Sequence, residues 1–322
     1  MLKFYCDINN TLEAVSYKEI ENGSHEAVWI DIFNPTKQDK KTLYHLLRIN
    51  LPDRKKMDEI EISNRFYQKN NSIYMTGNFF SCNQKIQPVT FILTNKIIIT
   101  LRYDDFSFFE YFFLSEKNNT RKPHSHVKLF IDLLEASIAQ MADKLEESER
   151  LIDKNTQTIF RSHSLEEGNH KKTNFKNVIY DIGKNGDLIS KTNETLLSTS
   201  RMLKFFLSIK SLKFSKDESR KLKISLNDIT SLSDHASFLA NKVNFLLDAS
   251  LGIINVEQNN IIKIVSVAAL VFFPPTLIAS IYGMNFAVFP ELQWNLGYPT
   301  ALLLMVLSGL LPYLYFKHKE WI

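Results

Sequence analysis

The apolar positions of this chain change their spacing twice along its length, and each change predicts a different kind of structure. Up to about residue 122 they come in short β-branched and aromatic bursts. Ala27 to Phe33 predicts a strand stopped by Asn34-Pro35, and Ser72 to Phe80 predicts a second. Pro88 to Leu93 and Ile97 to Leu101 flank Thr94-Asn95-Lys96 and predict a hairpin. Helices are predicted between these strands, around Thr36 to Arg48 and Arg54 to Asn64. The region reads as a mixed α/β domain.

From residue 123 the period becomes helical. Leu129, Leu133, Leu134, Ile138, Met141, Leu145 and Ile152 fall on one stripe, with acids and lysines elsewhere. The polar run His163 to Asn174 predicts a turn. Phe175, Val178, Ile179, Ile182, Ile189, Leu196 and Leu203 then open a second long helix, with Asn185-Gly186 as a candidate interruption. No proline occurs between Pro123 and Pro274, which permits long helices without proving them. A third helix begins near Lys216 and meets no stop signal before Pro274-Pro275. Continuous to Tyr282, it would be a rod of about 100 Å at ~1.5 Å per residue, of which only about 30 Å fits in hydrocarbon. The rest would be a stalk. A helix that long is rarely stable alone, so self-association is expected.

The last change is to two uncharged apolar runs, Ile264 to Ile281 and about Thr300 to Phe316. Between Lys263 and Lys317, Glu291 is the only carboxylate or amine side chain. Tyr282, Phe286, Trp294, Tyr298, Tyr313, Tyr315 and Trp321 suit the interfaces of a membrane. Lys263, Lys317 and Lys319 lie outside the outer ends, and the stretch Asn285 to Pro299 has no Lys or Arg. Both termini are therefore expected in the cytoplasm, with the loop outside. Met1 to Asp7 lacks the apolar core of a secretory signal.

In the first run Asn259, Ser266, Phe273 and Ser280 recur every seven residues, with Asn255, Ile262, Ala269 and Thr276 interleaved, forming one slowly winding stripe. The second run has Ser308 and Gly309 as a small pair in its interior and no polar line. Two readings stay open: the first helix lines a polar path and the second faces lipid, or the small residues merely allow close helix packing.

Composition adds mainly exclusions. With 39 basic and 35 acidic residues the net charge is +4, and runs such as Lys216 to Lys223 read as solvated helix faces rather than a nucleic-acid surface. The 44% hydrophobic fraction conceals the concentration of apolar residues at the C-terminal end and in Phe106 to Leu114. Cys6 and Cys82 have no CxxC spacing and fit a reducing compartment. No phosphate loop, nucleophile–base set or zinc motif is present, so neither an enzyme nor an ATP-driven pump is indicated. His124-Ser125-His126 has no partner at metal spacing and reads as surface.

Tyr282-Gly283-Met284-Asn285-Phe286, followed by Phe289-Pro290-Glu291-Leu292, Trp294 and Gly297-Tyr298-Pro299, resembles the CorA family of magnesium transporters, in the branch typified by enterobacterial CorA. The likeness extends through Val243 to Leu246, Ile254 to Asn259 and Pro274 to Leu277, and back to Ala27 to Asp31 and Asp58 to Glu61. It covers most of the chain.

The resemblance implies an α+β membrane protein: an N-terminal cytosolic α/β domain, a long helical stalk and two C-terminal transmembrane helices, assembled as a homopentamer. The corresponding segments are 1–122 for the α/β domain, 123–215 for long cytosolic helices, and 216–282 for a stalk running into the first span at about 264–282. The outer loop is 283–299, the second span 300–316 and the basic tail 317–322. The five first helices would form the pore, lined by Asn259, Ile262, Ser266, Phe273, Thr276 and Ser280. Gly283, Met284 and Asn285 would select the ion at the outer mouth, with Asn285 holding hydrated Mg²⁺ through its waters. Ile262 and Phe273 would be hydrophobic constrictions. Gly283 is also expected to cap the helix in the left-handed conformation.

The cargo implied is mainly Mg²⁺, with Co²⁺ and Ni²⁺, taken up across a bacterial inner membrane without a cofactor and gated by cytosolic Mg²⁺. The sensor residues stay unassigned, with Asp228, Asp234 and the acids from Asp132 to Glu149 as candidates. Partners are other copies of the chain, lipid and the cations, not nucleic acid. Two departures stand out. Ala287 occupies a position where relatives often carry an acid, leaving Glu291 alone in the outer loop, and Phe273 is bulky for a path-lining position. The alternatives are a Zn²⁺ transporter of the same superfamily and a membrane-anchored oligomer that transports nothing.

Overall fold

The computed structural model describes residues 1–59, 61–118, 124–164, 175–285, 290 and 294–319. The chain divides into two compact units, Met1–Leu246 and Leu247–Ile322.

The first unit is built on a seven-stranded sheet of order β2-β1-β3-β7-β6-β5-β4, comprising β1 (Leu2–Ile8), β2 (Thr11–Val15), β3 (Ala27–Phe33), β4 (Phe66–Lys69), β5 (Ser72–Phe80), β6 (Ile86–Leu93) and β7 (Ile98–Arg102). The pairing is antiparallel except between β3 and β7, where Trp29 lies opposite Ile98 and Phe33 opposite Arg102. The outer hairpins β1–β2 and β4–β5 turn on Asn9-Asn10 and Asn70-Asn71. All four asparagines have positive φ, between 50° and 61°. Two-residue type I′ turns require that conformation, and Asn tolerates it because its short side chain bonds locally.

Each face of the sheet is covered. On one, Phe4, Ile30, Ile32, Ile99 and Leu101 pack with Leu43 of α2 (Lys37–Leu47) and Met57 of α3 (Arg54–Met57). α2 starts at a capping box, in which the Thr36 N–H donates to Asp39 Oδ2 at 2.9 Å and the Asp39 N–H donates to Thr36 Oγ1 at 3.2 Å. The helix expected over Arg54 to Asn64 is instead two single turns, α3 and α4 (Ile62–Arg65). A short α1 (Tyr17–Glu21) adds Tyr17 and Ile20 to this side.

The other face is aromatic. Trp29, Phe79 and Phe91 meet Phe109 and Phe108 of α5 (Phe108–Asn118) and Phe130 of α6 (His126–Ser164), with ring centroids 5.9, 5.2 and 5.4 Å apart. Phe206 of α7 (Phe175–Ser208) completes the stack on Phe130 at 4.6 Å. The phenylalanines from Phe106 to Phe112 are thus core residues of this layer.

At the carboxyl ends of β3 and β7 sits a buried ionic network. Asp31, 4% exposed, accepts from Arg102 Nε at 3.1 and 3.3 Å, from Arg102 Nη2 at 3.0 Å and from the Thr100 hydroxyl at 2.7 Å. Arg102 Nη1 donates to Asp105 at 2.6 Å, and its guanidinium lies 4.9 Å from the ring centres of both Phe33 and Phe109. Trp29 Nε1 donates to Thr100 Oγ1 at 3.1 Å, joining the aromatic layer to the network.

α6, α7 and the first part of α8 (Lys216–Tyr282) carry buried positions at three-, four- and seven-residue steps, as coiled-coil seams do: Met141, Leu145, Ser148, Ile152 and Asn155 on α6, and Leu222, Ser225, Ile229, Ala236, Leu239, Val243 and Leu246 on α8. α7 is unbroken at Asn185-Gly186. The Asn185 carboxamide donates to the Ser148 carbonyl at 2.8 Å, and Gly186 admits Val243, whose Cγ1 would lie 3.1 Å from an added Cβ. Both residues fit a helix crossing rather than a break. The His163 to Asn174 stretch lies mostly outside the described residues. His124, expected at the surface, is buried, with Nε2 3.2 Å from Glu116, and its backbone N–H donates to Asp7 at 2.7 Å.

Candidate functional site

The second unit contains the end of α8, from Leu247, and α9 (Gly297–His318). Both helices are long and apolar enough to cross a membrane. Their apolar side chains are left largely uncovered: Phe272 is 70% exposed, Phe273 69% and Ile264 64%. In water such a surface would be strongly unfavourable, so lipid or further protein must cover it.

Within the apolar runs the less exposed positions define one face: on α8 from Ile264 they are Val267, Val271, Pro274, Pro275, Ile278 and Tyr282; on α9, Gly297, Thr300, Ala301, Met305, Ser308, Gly309, Pro312 and Phe316. These are the surfaces the two helices turn to each other. A Cβ added to Gly309 would lie 3.3 Å from Pro275 Cγ and 3.4 Å from the Val271 carbonyl oxygen. The small pair Ser308-Gly309 is therefore a helix-packing feature of α9.

Asn259, Ile262, Ser266, Phe273, Thr276 and Ser280 are all exposed and lie on the other side of α8. At about 100° per residue, the mean direction of these six is roughly 160° from that of the α9-facing set. The stripe read from the sequence is thus one continuous face, directed away from the side of α8 that faces α9.

Three hydroxyls of these helices are satisfied by their own backbone. Thr276 donates to the Phe272 carbonyl at 2.7 Å, Ser308 to Met305 at 2.8 Å, and Thr300 to Leu296 at 2.8 Å.

α8 ends at the Gly-Met-Asn segment. The Gly283 N–H donates to the Ala279 carbonyl at 3.0 Å, and the Met284 N–H to Ile281 at 3.2 Å. Gly283 is not left-handed, contrary to the expectation for a C-cap glycine. What a side chain would meet there is backbone: an added Cβ would lie 3.3 Å from the Ala279 oxygen and 3.6 Å from the Ser280 oxygen. Met284 and Asn285 are exposed. Glu291, Phe286 and Ala287 lie outside the described residues.

A family model described as CorA-like Mg²⁺ transporter protein matches residues 24–318. The chain belongs to the CorA family. The magnesium transport protein CorA of Sodalis glossinidius is 34% identical over 301 residues, which is 92% of each chain. That of Escherichia coli K12 is 33% identical and is matched over 100% of both chains. The complete structure of the CorA magnesium transporter from Methanocaldococcus jannaschii shares the fold at a TM-score of 0.77 and 17% identity, covering 100% of this chain and 99% of that one. The α+β class, the long helix and the two candidate spans are accordingly those of a CorA fold.

In the first unit, most of the acids considered as cation sensors already have partners. Asp132 and Glu135 both accept from Lys221 of α8 at 2.9 Å, Asp143 accepts from the Tyr111 hydroxyl at 2.7 Å, Glu146 lies 3.3 Å from Arg150, and Glu149 lies 3.4 Å from His235. The Lys221 amine is held above its ordinary pKa. Burial alone would lower it, but the bonds to the two carboxylates outweigh that. Among the described residues no group of three or more His, Cys, Asp or Glu side chains could hold a metal ion.

Sequence reasoning missed the α9-facing side of α8. The signal was present in Pro274-Pro275, which deprive two preceding carbonyls of their helical donors, and in Gly309 in the interior of the second run.

Proposed function

We propose that the chain is the subunit of a homopentameric, channel-like Mg²⁺ uptake protein of a bacterial inner membrane, with both termini cytoplasmic. The observation that carries this reading is family membership over residues 24–318, joined to relatives named for magnesium transport at about a third identity along nearly the whole chain. In this reading α8 lines the path with Asn259, Ile262, Ser266, Phe273, Thr276 and Ser280, and α9 faces lipid. The position of those six side chains, exposed and away from α9, is what such a path requires.

Gly283, Met284 and Asn285 form the outer mouth. Mg²⁺ sheds its waters reluctantly, so a selective mouth works best through acceptors for those waters rather than through anions that would trap the ion. Asn285 supplies a neutral carboxamide oxygen, and the backbone beside Gly283 supplies carbonyls. Glu291 is the single acid of the outer loop and raises the local cation concentration only modestly. Phe273, with Ile262, acts as a hydrophobic gate. An inside-negative potential of about 100 mV is worth ~4.6 kcal/mol for a divalent ion, so entry needs no coupled reaction. Co²⁺ and Ni²⁺ share the path, and cytosolic Mg²⁺ closes it. Intact Gly283-Met284-Asn285 favours Mg²⁺ over Zn²⁺.

The test is ion entry into liposomes containing the purified full-length protein. Asn285→Ala should lower Mg²⁺ entry by about tenfold, the factor that accompanies ~1.4 kcal/mol of lost hydrogen bonding at the mouth. Entry unchanged by this substitution removes Asn285 from selection. Failure of the unaltered protein to conduct Mg²⁺ points to the non-transporting oligomer.

A further inference from the structure

We infer that Gly309 is a positioning residue for ion passage: it sets the distance of the Phe273–Thr276 turn of α8 from the path without touching the path itself. The inference rests on the transport reading above.

Proline at 275 has no N–H, so the Val271 carbonyl, four residues earlier, lacks its ordinary helical donor. In a membrane an unsatisfied carbonyl cannot turn to water and must be met from within the protein. α9 brings Gly309 beside it. The backbone there comes close enough that even a methyl group would sit 3.4 Å from the Val271 oxygen and 3.3 Å from Pro275 Cγ. Pro275 and Gly309 therefore form one packing contact, a proline turn and the glycine that lets α9 come up against it.

The direction of the consequence follows from the faces. Val271 and Pro275 lie on the side of α8 turned to α9, while Phe273 and Thr276 lie on the opposite side. Bulk added at 309 pushes the proline turn away from α9, which carries Phe273 and Thr276 toward the axis of the proposed path and narrows it. Neither the Gly283-Met284-Asn285 mouth nor any residue of the stripe is altered.

The experiment measures initial Mg²⁺ entry into liposomes against external Mg²⁺ for the wild type, Gly309→Ala, Gly309→Val, Pro275→Ala and the double variant Gly309→Ala/Pro275→Ala, together with thermal stability of each in detergent. Maximal entry should fall in Gly309→Ala and further in Gly309→Val, by about tenfold for a barrier rise of ~1.4 kcal/mol. The Mg²⁺ concentration giving half-maximal entry should stay constant, since the mouth is untouched. Pro275→Ala in the Gly309→Ala background removes the ring and returns an N–H to Val271, so it should restore entry. If Gly309→Val is as stable as the wild type and conducts as well, the inference is wrong. It is also wrong if stability is lost and restored while maximal entry per folded protein never changes, because Gly309 then only packs. A wild type that conducts nothing overturns the transport reading itself, and the positioning role with it.

Discussion

Replacing Arg102 by methionine isolates the energetic role of the buried network in the first unit. Methionine keeps apolar bulk beneath Phe33 and Phe109 and can make sulfur–aromatic contacts, so packing is largely preserved. What disappears is the countercharge. The side chains of Asp31 and Arg102 are only 5% and 11% exposed, so water cannot replace the guanidinium. Asp31 would keep only the Thr100 hydroxyl among its present side-chain partners. Removing one partner of a buried pair costs about 3–5 kcal/mol, a large fraction of the ~5–15 kcal/mol that typically holds a domain together. The lost stacking of the guanidinium on two rings is smaller, about 0.5–2 kcal/mol, and methionine recovers part of it. Arg102→Lys retains charge but not the two-pronged geometry, so it should fall between. Asp31→Asn should cost less than Arg102→Met, about 1–3 kcal/mol, because Arg102 still has Asp105 and the Asp104 carbonyl. Trp29 is a built-in reporter, being 1% exposed and bonded to Thr100. Urea unfolding followed by its fluorescence, with Trp294 and Trp321 changed to Phe, gives the order directly. A midpoint for Arg102→Met within experimental error of the parent would refute the argument, and so would Asp31→Asn being the more damaging change.

Two further outcomes are expected. Phe273→Ala should raise Mg²⁺ entry at high internal Mg²⁺ by about tenfold if the proposed path is held closed by dewetting at an apolar constriction there; unchanged entry removes Phe273 from the proposed gate. His126, half-buried at the first turn of α6, is held below its ordinary pKa of 6.5, mainly by burial, with Glu218 acting in the opposite direction. Its neutral form is therefore favoured by folding, so its contribution is complete above pH 6.5 and is lost as pH falls below that toward the lower folded value. His126→Gln should flatten the pH dependence of first-unit stability in that window, and an unchanged slope would exclude His126 as its source.

The long-period elements were legible in the sequence because their signal is long. α8 runs from Lys216 to Tyr282 as the uninterrupted pattern predicts, and α9 begins three residues before the apolar run does, at Gly297. Short elements were not legible. β1, β2 and β4 carry few alternations, and their two turns are written as Asn-Asn rather than the Asn-Gly pair that marks such hairpins most strongly. The Phe106 to Leu114 patch showed as hydrophobic without showing as helix, because its aromatic residues favour strands as readily. His124 and Gly283 failed for a different reason. A histidine's burial and a glycine's φ are set by residues distant in sequence or by the local backbone path, and neither leaves a mark on residue type. The Asp31–Arg102 pair is separated by 71 positions along the chain, so only the parallel register of β3 and β7 brings it together.

The polar stripe of α8 is uneven as an indication of a water-filled path. A hydroxyl can be satisfied by its own helix, as Thr276 is by the Phe272 carbonyl, and the same holds for Ser308 and Thr300 on a helix proposed to face lipid. Serine or threonine on a span therefore does not distinguish water from lipid or from a packed neighbour, and Ser266, Thr276 and Ser280 weigh little either way. A carboxamide differs. It has two donor hydrogens and an acceptor oxygen with two lone pairs, more than one helical turn can engage, and burying it unpaired costs about 1–3 kcal/mol on protein scales. Asn259 and Asn285, toward the two ends of the stripe, both stand exposed on the single chain. Hydrocarbon cannot satisfy either one, whereas the hydration shell of a passing cation, or the same residue on neighbouring copies, can. The proposed path accordingly rests on its two asparagines, with the apolar residues between them supplying the barrier that makes it a gate.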